Sequence, residues 1–295
     1  MANSSRGPSV GIVTVAYRSN DVLAGFLESV RGASAERAPV VIVDNAPGPD
    51  DASALAAKTG ATHVPLPANP GYGGAVNAGV RELPPGVEWV LISNPDVVLG
   101  AGTIDTLRAT GETDPAIGAV GPSVLNPDGS IYPSARAVPS LRTGVGHALF
   151  VNLWQRNPWT LAYRRETDPR DERRDAGWLS GSCLLVRRTA FDEIGGFDDG
   201  YFMYFEDVDL GFRLGKAGYR NTYEPAASVT HVGAHATGGE SARMVTAHHD
   251  SARRFLSKKY SGWWLWPVRV TLRVGLALRS RAIIRRLRRE GSAPL

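Results

Sequence analysis

The feature that most constrains this chain is the alternation, through its first hundred residues, of short apolar runs with helix-period segments. "VGIVTVAY" (10–17), "VVIVDNA" (40–46), "THVPLP" (62–67) and "EWVLISNPD" (88–96) read as strands. Between the first two, "DVLAGFLESVRG" (21–32) starts on Asp, repeats apolar residues at helical spacing and ends on Gly, so it reads as a helix. "DDASALAAKTG" (50–60) and "GYGGAVNAGVREL" (71–83) read likewise. Strands so continuously apolar must be covered on both faces. The pattern therefore predicts an α/β fold with a mostly parallel central sheet flanked by helices. Ligands of such sheets bind beyond the carboxyl ends of the strands. Two acidic tips, "VDN" (43–45) and "NPD" (94–96), lie at such ends.

The middle of the chain is less regular. "GPSVLNPDGSIYPSARAVPSLRTG" (121–144) is rich in turn residues, with a hairpin expected at Asp128-Gly129. "NLWQRNPWTLAYRRETDPRDERRD" (152–175) mixes aromatics and charges and reads as a long, mobile loop. Regular structure resumes with "GWLSGSCLLVRRTAF" (177–191), and "ASVTHV" (227–232) reads as another strand. The single cysteine, Cys183, excludes an intrachain disulfide framework. Its apolar surroundings suit a buried structural thiol and a reducing compartment. "MANSSRGPSV" does not read as a signal peptide, and no run of about 18 uncharged apolar residues suggests a membrane span.

The formal net charge of +4 conceals a separation. From Arg253 to Glu290 twelve Lys or Arg face one acid, so this segment carries +11 and the rest of the chain −7. Within it Leu265, Leu272, Leu276, Ile283 and Leu287 recur at helical spacing, beside Trp263, Trp264 and Trp266. A basic amphipathic helix lying on an anionic membrane surface fits this pattern. A tail packed on the body, or a homo-oligomer contact, is the competing reading. No nucleic-acid-binding motif accompanies the charge, so nucleic acid is not an expected partner.

The candidate chemistry is dispersed. In "YFMYFEDVDLGFR" (201–213), Glu206, Asp207 and Asp209 stand among Phe202, Tyr204, Phe205 and Leu210. Carboxylates are costly to desolvate unless paired. These three read as solvated charges, partners of buried arginines such as Arg213 or Arg187, metal ligands, or a catalytic base. "NPGYGGAVNAG" (69–79) is neither a Walker loop nor a dinucleotide fingerprint. It opens a helix, where N–H groups can meet a phosphate or simply make a tight turn. Asp44 and Asn45 can accept hydrogen bonds from a base or ribose, or cap a turn. Asp96 supplies one hard oxygen for a divalent cation, or an Asx turn. His231 ends a strand, where a lone histidine is usually structural; His235, His248 and His249 are weaker candidates. No Cys/His zinc spacing and no Ser-His-Asp elbow is present.

The order of these segments is more specific than any one of them. "VDN", "NPGYGGAVN", "NPD", "GSCLLVRR", "GGFDDGYFMYFEDVDLGFRL" and "TH" in succession resemble the family 2 glycosyltransferases, which have the nucleotide-sugar-binding GT-A fold. The resemblance runs from about Val10 to His235. Within that family, "YPSAR", "NPWT", "GWLSGSCLLVRR", "YFMY", "EDVDLG" and "SGWW" look like rhamnosyltransferases acting on polyprenyl-diphospho-N-acetylglucosamine in arabinogalactan-linker assembly.

The resemblance implies an inverting, metal-dependent transfer of L-rhamnose from dTDP-rhamnose to a polyprenyl-diphosphate-linked N-acetylglucosamine. It places Asp44 on the pyrimidine base, and Asn45, Asn69, Gly71, Tyr72, Gly73, Asn77 and Asn94 around the nucleotide-sugar. The family's Asp-x-Asp metal motif stands here as Asn94-Pro95-Asp96, so Asp96 alone carries over, joined by His231 as a second ligand of Mg²⁺ or Mn²⁺. Asp207 matches the general base, with Glu206, Asp209, Gly181 and Ser182 on the acceptor side. The alternatives are another donor, such as UDP-galactofuranose, or a non-catalytic nucleotide-sugar-binding scaffold. The expected organisation is a GT-A domain over 1–245, divided at 125/126 into nucleotide-sugar and acceptor halves, and a basic membrane-associating tail over 246–295. The expected location is cytoplasmic, peripheral on the inner face of the plasma membrane.

Overall fold

Each apolar run of the first hundred residues forms a strand in the computed structural model, which describes residues 9–45, 48, 52–140, 172–233 and 242–290. Strand β1 (Val10–Ala16), helix α1 (Asn20–Ala33), β2 (Val40–Asp44), α2 (Ser53–Thr59), β3 (Thr62–Pro65), α3 (Tyr72–Arg81) and β4 (Trp89–Ser93) follow in turn. Then come β5 (Val97–Leu99), α4 (Thr103–Glu112), β6 (Ile117–Leu125), β7 (Ile131–Tyr132), β8 (Ala135–Arg136), β9 (Arg174–Ala176), β10 (Trp178–Leu179) and β11 (Cys183–Arg187). Helices α5 (Arg188–Glu193) and α6 (Glu206–Lys216), the long β12 (Arg220–His231), α7 (Ala242–Lys259), a 3₁₀ turn (Trp263–Leu265) and α8 (Trp266–Glu290) complete the order.

The main sheet runs β3-β2-β1-β4-β11-β6-β12-β5. Six of these eight strands point the same way; β11 and β5 run against their neighbours. Side chains of successive strand residues project to opposite faces. Ile12, Ile42 and Leu91 therefore join Phe26, Ile104 and Leu107 in one core under α1 and α4. Val13, Val43 and Ile92 join Val76, Phe191 and Leu214 in a second core under α3, α5 and α6. Burial on both faces is what the unbroken apolar runs predict.

Two departures from simple alternation position the site. The antiparallel β11 begins beside the end of β4, with Cys183 opposite Ser93. Its entry turn, residues 180–182, thus lies at the same edge as the tips of the parallel strands. The short β5, directly after "NPD", pairs with the end of β12 and sets His231 opposite Val97. The hairpin at Asp128-Gly129 forms between β6 and β7, and the 125/126 division falls at the end of β6. Cys183 is buried, and burial pushes its thiol up to about 12, as a structural cysteine requires. The "NPWT" segment, most of the 152–175 loop, and His235 lie outside the described residues.

The boundary expected at 245/246 falls inside α7. That helix is packed on the body through Phe255, which is fully buried in a third core with Tyr201 and Val208. Replacing Phe255 by Ala is expected to cost about 3–5 kcal/mol in chemical denaturation, the range for a buried aromatic.

Candidate active site

The site is assembled at one edge of the sheet, where β2, β4 and β12 end and β11 begins. Asp96 follows β4, and His231 closes β12. The β5–β12 pairing brings the His231 Nε2 within 3.1 Å of the Asp96 Oδ1 across 135 residues. One hard oxygen and one imidazole nitrogen lie together there. Among the described residues no group of three or more His, Cys, Asp or Glu gathers as a metal cage. A two-residue set fits a cation that keeps water and substrate oxygens as its other ligands, and its nitrogen suits Mn²⁺ better than Mg²⁺.

The turn entering β11 is gripped from three sides. The Asn94 N–H donates to the Ser182 carbonyl at 2.8 Å. The Tyr72 hydroxyl donates to the Gly181 carbonyl at 2.8 Å. The Gly181 N–H donates to the Asp207 Oδ2 at 3.0 Å. Asp207 stands in the first turn of α6, and its Oδ1 accepts the Val208 N–H at 2.8 Å. Acidic residues in a first helical turn are favoured by the exposed N–H groups there. The approach to that turn is strained: Tyr204 and Phe205 both adopt left-handed backbone, with φ of 66° and 64°. Bulky residues rarely take this conformation, and its cost is sustained where surrounding structure enforces it.

The three carboxylates of "EDVD" separate cleanly. Burial raises the Asp207 carboxyl, against the N–H donors that lower it. Glu206 is buried, and its Oε2 has no hydrogen-bond partner among the described residues. Burial first, then the neighbouring Asp207, pushes Glu206 up to about 8. Asp209 is fully buried and paired: Arg213 Nε lies at 2.6 Å and Lys258 Nζ at 2.5 Å. It is the arginine partner that the sequence offers as one option. Arg187 is not such a partner; its guanidinium stacks over Trp89 and donates to the carbonyls of Ile117 and Gly111.

The glycine-rich segment is placed against "YFMY". Gly71 has φ of 88°, and a Cβ there would lie 2.2 Å from the Phe202 carbonyl oxygen, so no other residue fits. Asn69 Oδ1 accepts the Gly71 N–H at 2.8 Å, and the Tyr72 N–H donates to the Phe202 carbonyl at 3.1 Å. Asn45 Nδ2 donates to the Gly71 carbonyl at 3.3 Å, while its buried Oδ1 has no partner among the described residues. Asp44 is buried, accepts the Ala52 N–H at 3.0 Å and lies 3.6 Å from His63 Nε2. Gly73 packs directly on Phe197. The Asn77 amide is engaged at both ends, donating to the Phe197 carbonyl at 2.9 Å and accepting its N–H at 2.9 Å. Gly73 and Asn77 thus hold the "GGFDDG" loop to α3. His248, on α7, meets the rings of Tyr204 and Phe205 edge to face, and His249 bonds its own helix backbone.

Residues 8–248 match the family model described as glycosyltransferase like family 2. The chain belongs to glycosyltransferase family 2. Among its relatives in that family, the N-acetylglucosaminyl-diphospho-decaprenol L-rhamnosyltransferase of Mycobacterium tuberculosis is 48% identical over 286 residues, covering 93% of this chain and 92% of that one. Rhamnosyltransferase WbbL of Escherichia coli is 42% identical over 96 residues, covering 32% of this chain and 29% of that one. Two solved structures share the fold at 16% identity. One is GalNAc-T7 with UDP, GalNAc and Mn²⁺, with a TM-score of 0.59 over 83% of this chain and 47% of that one. The other is the mannosyltransferase PcManGT from Pyrobaculum calidifontis with GDP-Man and Mn²⁺, with a TM-score of 0.58 over 99% and 77%. The GT-A architecture of this family 2 glycosyltransferase follows from that likeness.

Sequence reasoning missed Lys258 and Arg136 beside this site. Lys258 reaches Asp209 from 49 residues away, and no local spacing signals it. "YPSAR" did contain Arg136, as part of a motif without a role.

The buried Glu206 has a consequence for stability. Its carboxyl stands at about 8 in the fold against an ordinary 4.5. Between those values the unfolded chain has lost the proton and the folded chain keeps it. The contribution of Glu206 to folding stability therefore falls as pH rises from about 4.5 to about 8. Glu206→Gln is expected to flatten that decline, measured by denaturant midpoints across the pH range.

Proposed function

We propose that this family 2 glycosyltransferase moves L-rhamnose, with inversion, from dTDP-rhamnose to a polyprenyl-diphosphate-linked N-acetylglucosamine. The observation that carries this reading is the 48% identity, over 93% of the chain, to a Mycobacterium tuberculosis enzyme whose name states that sugar and a decaprenyl-linked acceptor.

The geometry around Asp207 supports the chemistry. A carboxylate offers about four lone-pair positions, and the Gly181 and Val208 N–H groups engage one on each oxygen. That leaves room for an acceptor hydroxyl on a carboxylate held in one orientation. Burial raises its proton affinity, which strengthens it as a base. The acceptor hydroxyl yields its proton to Asp207 as its oxygen attacks the anomeric carbon. The bond from that carbon to the nucleoside diphosphate breaks on the opposite side, and no enzyme nucleophile intervenes. Glu206, protonated below about 8, presents an O–H donor beside the base instead of a second negative charge. It borders the acceptor together with Gly181 and Ser182. Asp44, Asn45, Asn69, Gly71, Tyr72 and Asn94 border the nucleotide-sugar, with Asp44 toward the pyrimidine base. Asp96 and His231 would hold Mn²⁺ or Mg²⁺. When bound, such a cation offsets the charge of the departing diphosphate.

The tail suits a lipid-linked acceptor. No helix among the described residues is long and apolar enough to cross a membrane. Trp263, Trp264 and Trp266 are nonetheless 79%, 65% and 59% exposed, with Val270 and Val274 exposed beyond them. Leu265, Leu272 and Leu276 are half-buried, so the outward apolar surface is the tryptophan and valine side. Arg273 and Arg281 are exposed on the same helix. Aromatic and basic residues so displayed fit an anionic leaflet, with the enzyme peripheral on the inner face of the plasma membrane.

Purified protein with Mn²⁺ or Mg²⁺ is expected to transfer sugar from dTDP-rhamnose and not from UDP-galactofuranose. Asp207→Asn is expected to lower kcat by about 10²–10⁴-fold with dTDP affinity kept, measured by radiolabel transfer. Wild type that binds dTDP tightly without transfer would point to a scaffold instead. Simultaneous replacement of Trp263, Trp264 and Trp266 by Ala is expected to release the protein from phosphatidylglycerol vesicles in co-sedimentation. Undiminished vesicle binding would assign those side chains to a subunit contact.

A further inference from the structure

The "YPSAR" segment (132–136) has no part in the chemistry above. Its β8 pairs with β10, setting Arg136 opposite Trp178. Ala135 is buried in the second core, so strand alternation turns Arg136 to the other face. There its guanidinium lies between two rings, 5.4 Å from the centroid of Tyr132 and 5.7 Å from that of Trp178. Its Nε donates to the Pro133 carbonyl at 2.7 Å. The side chain is half-buried, yet among the described residues no carboxylate forms an ion pair with it and its Nη groups have no acceptor. A half-buried guanidinium whose Nη donors are unengaged among the described residues can take an anion that a ligand brings.

The location says which anion. Strand β10 leads directly into the 180–182 turn, whose Gly181 N–H is bonded to Asp207. Trp178 also lies directly against α6: a Cβ on Gly211, one turn beyond Asp207, would be 2.7 Å from the Trp178 Cα. Arg136 is close enough for its charge to act on the Asp207 carboxyl, although burial outweighs it there. On the reading given above this is the acceptor side of the site, at the turn that Tyr72 and Asp207 both hold. In a polyprenyl-diphospho-sugar the diphosphate is joined to the acceptor sugar itself. With the sugar's hydroxyl on Asp207, the anion must therefore lie within about one sugar ring of the base.

We propose that Arg136 binds the diphosphate of the lipid-linked acceptor, with Tyr132 and Trp178 fixing the plane of its guanidinium. A guanidinium so held offers paired N–H donors to phosphate oxygens, which a lysine point charge does not reproduce. The inference rests on the acceptor reading given above and adds the residue that separates an anionic acceptor from a neutral one.

The test compares farnesyl-diphospho-N-acetylglucosamine with a farnesyl N-acetylglucosaminide lacking the diphosphate. In Arg136→Met, acceptor kcat/KM is expected to fall about 10- to 100-fold on the diphosphate substrate and less than about 3-fold on the neutral one. The KM for dTDP-rhamnose is expected to stay unchanged, and Arg136→Lys to recover part of the loss. Arg136→Gln carries the same expectation should the methionine variant not fold. Equal losses on both acceptors, or none on either, overturn the proposal. Binding of the diphosphate acceptor is measured in parallel, without donor, by tryptophan fluorescence. If wild type transfers no rhamnose but binds this acceptor in an Arg136-dependent way, the rhamnosyl reading fails and the role of Arg136 stands. Binding indifferent to Arg136 overturns that role whatever the donor.

Discussion

The Gly181–Ser182 turn joins three segments that are far apart in the chain. The backbone groups of these two residues are bonded to Asn94 after β4, to Tyr72 at the start of α3 and to Asp207 at the start of α6. These contacts exist because β11 enters the sheet against the direction of β4 and β6. A strand running the common way would have brought its far end to this edge. The reversal delivers a turn with free peptide groups to the place where the parallel strands leave their acids. Asp207, the glycine-rich helix and the Asn94 segment are then held in mutual register by hydrogen bonds to this turn, each of which contributes about 0.5–1.5 kcal/mol net.

Much of the scaffold was legible because burial on both faces leaves a plain trace. Runs such as "VVIV" and "WVLIS" stop at Asp44 and just before Asn94-Pro95-Asp96, and a buried strand that runs out into polar residues with a carboxylate advertises its tip. The role of Asp209 was half legible. Its i,i+4 neighbour Arg213 is visible in the sequence, whereas Lys258 is supplied by a separate helix. The approach of His231 to Asp96 depends on β5, a three-residue strand with too little pattern to announce itself. Asn77 shows the reverse difficulty. A polar residue in a glycine-rich helix start suggests a ligand, yet its amide is occupied by the Phe197 backbone. Only the folded chain distinguishes a side chain aimed at a substrate from one aimed at a loop.

The acidic cluster shows how one sequence motif contains three environments. Asp209 faces cations on two sides and is a structural ion. Asp207 faces N–H donors and remains available. Glu206 faces apolar packing and the charge of Asp207, so it keeps its proton. All three stand in the first turn of α6, where about 3.6 residues per turn send neighbouring side chains in different directions.

The basic C-terminal segment is less separable than its charge pattern suggests. Lys258 bridges Asp209 on α6 to Asp198 in the loop that Asn77 secures, and Arg254 binds Asp198 as well. Burial works against ionised Asp198, but these two cations hold its carboxyl below the usual range. A chain truncated before Arg254 would leave the fully buried Asp209 with one cation instead of two. Removing one partner of a buried ion pair is strongly destabilising. Truncation would therefore disturb the helix that carries Asp207 as well as abolish any membrane contact. The last point at which the tail can be shortened without that confusion lies beyond Lys259, at the turn before Trp263.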